Sequence, residues 1–112
     1  VLVFVYDQKK GWRVRNIGKG PALDIVVASK RVRAEWFDPV RIPPLADGDE
    51  FDLSWCRHAN DVGLGAAYLD TAGAPYFSQC GNDLSTTQPG RVLPIWKESE
   101  IRRHWSHPNN ET

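Results

Sequence analysis

The chain has 112 residues, 41% hydrophobic and 25% charged, with 14 basic residues against 14 acidic ones. That mix suits one folded domain with one core and excludes a disordered chain. A formal charge of zero removes the basic footprint that nucleic-acid binding needs, so no nucleic acid is expected as a partner.

No apolar run approaches the roughly 18 residues that cross a bilayer, and no basic segment leads into an apolar one as in a signal peptide. The chain opens on VLVFVY and contains no methionine. It therefore reads as a piece of a longer polypeptide whose targeting segment lies outside it.

Residues 1–6 are β-branched or aromatic at nearly every position, as in strands. Asp7 to Gly11 has turn composition. Trp12 and Val14 then alternate with Arg13 and Arg15, the period-two pattern of a half-buried strand. The next stretch, Asn16-Ile17-Gly18-Lys19-Gly20-Pro21-Ala22, is a structural turn by its residue types. Gly18 accepts a positive φ, Pro21 keeps Gly20 out of the α region, and Asn16 bonds nearby backbone through its side chain. The chain should turn over here, crossing between sheets, and resume as a strand over 23–28.

Residues 31–37 alternate again, with Val32, Ala34 and Trp36 against Arg31, Arg33 and Glu35. Pro39, Pro43 and Pro44 then argue for an irregular stretch with at most an edge strand near Val40. Phe51, Leu53 and Trp55 alternate with Asp52, Ser54 and Cys56; Leu64, Ala66 and Tyr68 follow; Asp70 to Ala74 makes a hairpin loop before a strand from Tyr76 to Cys80. Residues 81–94 read as mostly loop, Trp96 to Trp105 as a short helix, and the rest as a frayed tail.

Short strands separated by turns, with no helical pattern between them, give an all-β antiparallel sandwich of about seven strands. Its core should hold Trp12, Val14, Ile25, Val27, Trp36, Phe51, Leu53, Trp55, Leu64 and Tyr68. Residues 1–80 form the sandwich, and 81–112 a helical or irregular extension packing on it or trailing from it.

Three stretches resemble a known family. Val14 to Ile25 resembles the V-x-N-x-G-x-G-P-A-x-(N/D)-(V/I) segment of bacterial immunoglobulin-like domains related to cell adhesion. Pro44 to Phe51 resembles their proline-leucine turn, with Asp47-Gly48 where they usually show Pro-Gly. Tyr68 to Tyr76 resembles their Y-x-D-x-x-G-x-x-Y hairpin. The resemblance covers roughly residues 1–80, without the internal repeats common in that family. It implies an immunoglobulin-like sandwich in a membrane-anchored bacterial protein, tethered through a segment preceding residue 1 and facing the extracytoplasmic side. It carries no known activity with it.

The chemistry-bearing residues are sparse. Gly18-Lys19-Gly20 lacks the Ser/Thr of a phosphate loop and opens a strand rather than a helix. Cys56, His58 and Cys80 would be the ligands of a small metal- or ligand-binding domain, with His104 and His107 as further candidates, but the spacing matches no standard finger. Cys56 and Cys80 otherwise form a disulfide or stay as thiols; a bridge is favoured outside the cytoplasm, with a stabilisation of roughly 3 kcal/mol. Ser54 or Ser85 with a histidine has no nucleophile-elbow context. No catalytic residue and no cofactor is assigned. Arg13, Arg15, Arg31 and Arg33 would make a basic stripe on one sheet face, or a solvated face balanced by Glu35 and the acidic turn; the second is favoured. Trp96 and Trp105 would staple the extension onto the sandwich or anchor a protein partner, stapling being favoured. The expected function is protein interaction or spacing.

Overall fold

The computed structural model describes residues 1–9, 11–30, 35–53, 63–81 and 84–103, with the backbone alone for 81, 84 and 85. Nine strands are found among them: β1 (Leu2–Asp7), β2 (Gly11–Asn16), β3 (Leu23–Lys30), β4 (Trp36–Arg41), β5 (Glu50–Asp52), β6 (Gly63–Leu69), β7 (Pro75–Gly81), β8 (Leu84–Pro89) and β9 (Arg102–Arg103). A single 3-10 turn covers Glu98–Glu100.

The strands form a three-stranded sheet, β1-β2-β5, and a six-stranded sheet, β8-β7-β6-β3-β4-β9. All pairings are antiparallel except the short one between β4 and β9. The all-β sandwich expected from the sequence is what forms, an arrangement consistent with an immunoglobulin-like sandwich.

The alternation read in the sequence decides the inner faces. Leu2, Phe4, Val14 and Phe51 of the small sheet meet Ile25, Val27, Val40, Leu64, Ala66 and Tyr68 of the large one in a single buried cluster. Ile42, Leu45 and Leu53 close it from the connections. The Asn16–Ala22 segment carries the chain from the small sheet to the large one, as its turn residues suggest.

Several expectations are corrected. Trp12 and Trp36 are half-buried rather than central. Trp12 packs at the rim of the core against Tyr6, with ring centroids 5.2 Å apart. Trp36 belongs to a second apolar cluster on the outer face of the large sheet, where it meets the fully buried Phe77 edge-on at 5.5 Å. Gly65 makes that meeting fit, because a Cβ there would stand 2.7 Å from Trp36 and 2.8 Å from Phe77. Trp55 lies outside the described residues.

Pro39 is not in an irregular stretch but inside β4. Two residues, Asp38 and Pro39, oppose the single Ala28 across a register shift between Val27 and Ser29. This is a β-bulge, one of the few places where a strand tolerates proline. Asp38 takes a φ of 56° there.

The extension also differs from its reading. Residues 84–89 are the strand β8 and not loop. The expected helix from 96 is replaced by an extended strap ending in the 3-10 turn and β9. Because β8 and β9 flank opposite edges of the large sheet, residues 90–101 cross it. They lie over its outer face, against Asp24, Val26, Ala67, Leu69 and Pro75. Val1 is hydrogen-bonded to Ile17, and β9 pairs beside Arg41, close to the Ala22–Leu45 bridge. Val1 and Arg103 thus share the half of the sandwich that holds the 17–22 turn.

Candidate interaction surface

The Asn16–Pro21 turn is a backbone device, and the N–H groups of Asn16, Ile17, Gly18 and Gly20 are all used within the protein. Asn16 is fully buried. Its Oδ1 accepts from the Gly18 N–H at 3.0 Å and from the Val1 nitrogen at 3.2 Å. Its Nδ2 donates to the Gly20 and Leu45 carbonyls at 3.0 and 2.9 Å. Gly18, Lys19 and Gly20 run through φ values of 132°, 68° and 95°, a left-handed series that glycine makes affordable at its two ends. The Gly20 N–H donates to the Asp47 carboxylate at 2.8 Å. The position where a phosphate would sit therefore already faces an anion of the chain's own.

Arg13 and Arg15 project from one face of β2 and share Glu50 of β5, each at 2.7 Å. Asp52 adds a contact to Arg13 at 3.6 Å. The hydrogen bond from Arg15, joined by the charge of Arg13, holds the Glu50 carboxyl below its ordinary range. These arginines face their own carboxylates and form no bare basic stripe. Arg31 and Arg33 lie outside the described residues, as do Cys56, His58, His104, Trp105 and His107. Cys80 sits half-buried in β7 between Leu64 and Ser85. Among the described residues, no group of three or more His, Cys, Asp or Glu could hold a metal ion.

Trp96 is half-buried and lines a shallow groove between strap and sheet, beside Val26, Leu69, Tyr76 and Ile101. Ion pairs fix the strap: Arg41 with Glu98 at 2.8 Å, Arg103 with Glu98 at 3.7 Å, and Arg102 with the bulge residue Asp38 at 2.8 Å. Arg41 also pairs with Asp24, while its Nε is buried without a protein acceptor. Of the two arginines that line the groove, Arg41 and Arg91, the first is thus already matched by two carboxylates.

A hydroxyl relay that the sequence reading missed, buried at Tyr68 and Ser78 and ending at the exposed Thr87, joins the two sheets. The Leu2 N–H donates to the Tyr68 hydroxyl at 3.2 Å, and the Thr87 hydroxyl donates to the Leu2 carbonyl at 3.5 Å. Tyr68 and Ser78 are 2.9 Å apart, and Ser78 and Thr87 3.0 Å. Since Thr87 gives its proton to Leu2, Ser78 must donate to Thr87 and Tyr68 to Ser78. Every hydroxyl proton is then used once. Leu2 is on the outer strand of the small sheet, so its edge N–H and C=O are both occupied by side chains of the opposite sheet. The available signal was Ser78, a polar residue between Tyr76 and Cys80 on the inward side of β7.

The two edges of the large sheet differ. The β4 edge is bulged, carries a proline and is covered by β9. On the β8 edge no described strand lies beyond, and Thr86 to Pro89 are exposed. The Gly90 N–H bonds the Pro75 carbonyl at 2.9 Å. Because antiparallel hydrogen bonding alternates, Gln88 and Thr86 also point their backbone groups at β7, and Ser85 and Thr87 point theirs outward. Compared with protein-family models, curated proteins and solved structures, the chain matches none of them.

Proposed function

We propose that this chain is a non-catalytic immunoglobulin-like module for protein interaction, and that it takes a partner's strand at the β8 edge, beyond which no described strand lies. The observation that carries the proposal is the asymmetry of the large sheet. Both edge strands carry a proline, Pro39 in β4 and Pro89 at the end of β8, but only the β4 edge adds two further guards against strand addition, a bulge and a covering strand. The other presents Ser85 and Thr87 with outward backbone groups and no charged side chain in the strand. Main-chain hydrogen bonds at such an edge supply affinity, and the alternating side chains supply choice.

The hydroxyl relay and the self-occupied glycine turn favour a structural role for the hydroxyls and donors that catalysis or phosphate binding would use. The resemblance of residues 1–80 supports a setting on a membrane-anchored bacterial protein, on its extracytoplasmic side. Among the described residues, no helix is long and apolar enough to cross a membrane.

Peptides selected from a random displayed library against the immobilised chain provide the test. Binders should shift the amide resonances of Ser85 and Thr87 in an isotope-labelled sample. Ser85→Pro removes one outward N–H without touching the relay and should weaken them by about tenfold. Selected binders that leave both amides unmoved would refute the edge as the interacting element.

A further inference from the structure

We infer that the strand received at the β8 edge is β8 of a second copy, paired antiparallel about a twofold axis between the two Thr86 residues. This rests on the strand-addition reading above and names its partner.

Charge is the first support. The strand LSTTQP carries no ionisable side chain, so pairing it with itself opposes no like charges. The chain's formal net charge is zero, which leaves no long-range repulsion between copies. A closed twofold contact of this kind uses one patch twice and leaves no further edge to propagate.

Register is the second support. An antiparallel pair about an axis normal to the sheet keeps inner faces with inner faces. Centred on Thr87, it would set Ser85 against Pro89, which has no N–H to give. Centred on Thr86, it sets Ser85 of each copy against Thr87 of the other, and every outward amide and carbonyl of those residues is used. Pro89 then falls outside the hydrogen-bonded pairs. Thr86 meets its own symmetry mate at the close, non-hydrogen-bonded position, and paired threonines are favourable there. The edge is also ready-made. Thr87 is anchored inward by Ser78 and Leu2, so β8 is ordered before any partner arrives.

Sedimentation equilibrium of the whole chain tests this. The wild-type mass should rise with concentration from 12.6 kDa toward twice that value. Thr86 is exposed, so Thr86→Lys and Thr86→Glu should keep the wild-type melting temperature. Each variant alone should remain monomeric over the same range, because like charges face each other across the axis. An equimolar mixture should recover the doubled mass and lose it again on adding salt. A wild-type chain that stays monomeric, or variants that dimerise as well as wild type, would overturn the proposal. If wild type is monomeric while library peptides still shift Ser85 and Thr87, the second copy is wrong and strand addition stands. If both fail, both readings fall.

Discussion

Asn16 offers two acceptor lone pairs and two donors in its side chain, and the fold uses all four. Its replacement by alanine takes the acceptor from the Gly18 amide and removes one of the two donors to the buried Leu45 carbonyl, which keeps the Ala22 N–H. The expected cost is about 3 kcal/mol, read from urea unfolding. Asn16→Asp should cost as much, because a carboxylate cannot donate to Gly20 or Leu45. Gly65 makes the opposite kind of demand. Gly65→Ala forces a methyl group into the Trp36–Phe77 contact and should cost about 1–3 kcal/mol by overpacking. Glu50 sets a pH dependence. Its carboxyl is held low in the folded chain, chiefly by Arg15. The stability it contributes is therefore present above its unfolded value and lost as pH falls through the folded one. The gap between wild type and Glu50→Gln should be about 1 kcal/mol near pH 6 and should close toward pH 3. A gap that does not change with pH would sink this assignment. Of these three residues, only Asn16 announced its role in the sequence, because its side-chain bonding is local. Gly65 and Glu50 depend on partners in strands far along the chain.

At the scale of elements, period-two alternation made β2, β6 and most of β5 legible, and turn residues marked their ends. β8 was missed because Ser, Thr, Gln and Pro read equally well as loop; threonine's strand preference needed β7 beside it to count. Over its described residues, 96–103, the strap is not the helix expected from Trp96 to Trp105. Pro94 sits just upstream, and β4 offers an edge that captures Arg102 and Arg103 as strand instead. The two bulges of β3 and β4 were invisible beforehand, yet each places an aspartate with a φ above 50° beside an arginine: Asp24 with Arg41, and Asp38 with Arg102. The strap's hold is mostly exposed ion pairs, with Trp96 as the main apolar contact. Removing residues 95–112 should lower the melting temperature by several degrees, since about 1 kcal/mol corresponds to 4–8 °C in a domain of this size. An unchanged melting temperature would show that the strap contributes no stability.

For the whole molecule, the layered core followed from the pattern of apolar positions, because burying one face of each strand leaves few arrangements. What the pattern did not contain was the inequality of the large sheet's edges, which arises only when β8 and β9 take opposite sides. That inequality is what the proposed strand addition rests on, and single-strand reading had no access to it.

Val1 and Arg103 share one half of the sandwich but sit on opposite flanks of it, Val1 leading into Leu2 beside β8 and Arg103 lying on the β9 edge. A module lengthens a tether when the polypeptide arrives at one pole and departs from the other. Here a pull applied between Val1 and Arg103 would act across one half of the sandwich. Such a pull would run across the strands rather than along them, and the two-residue pairing of β9 with β4 would bear it at one end. At the other end the Thr87–Leu2 hydrogen bond would pass the load to β8, so tension and the proposed strand addition would act on the same strand.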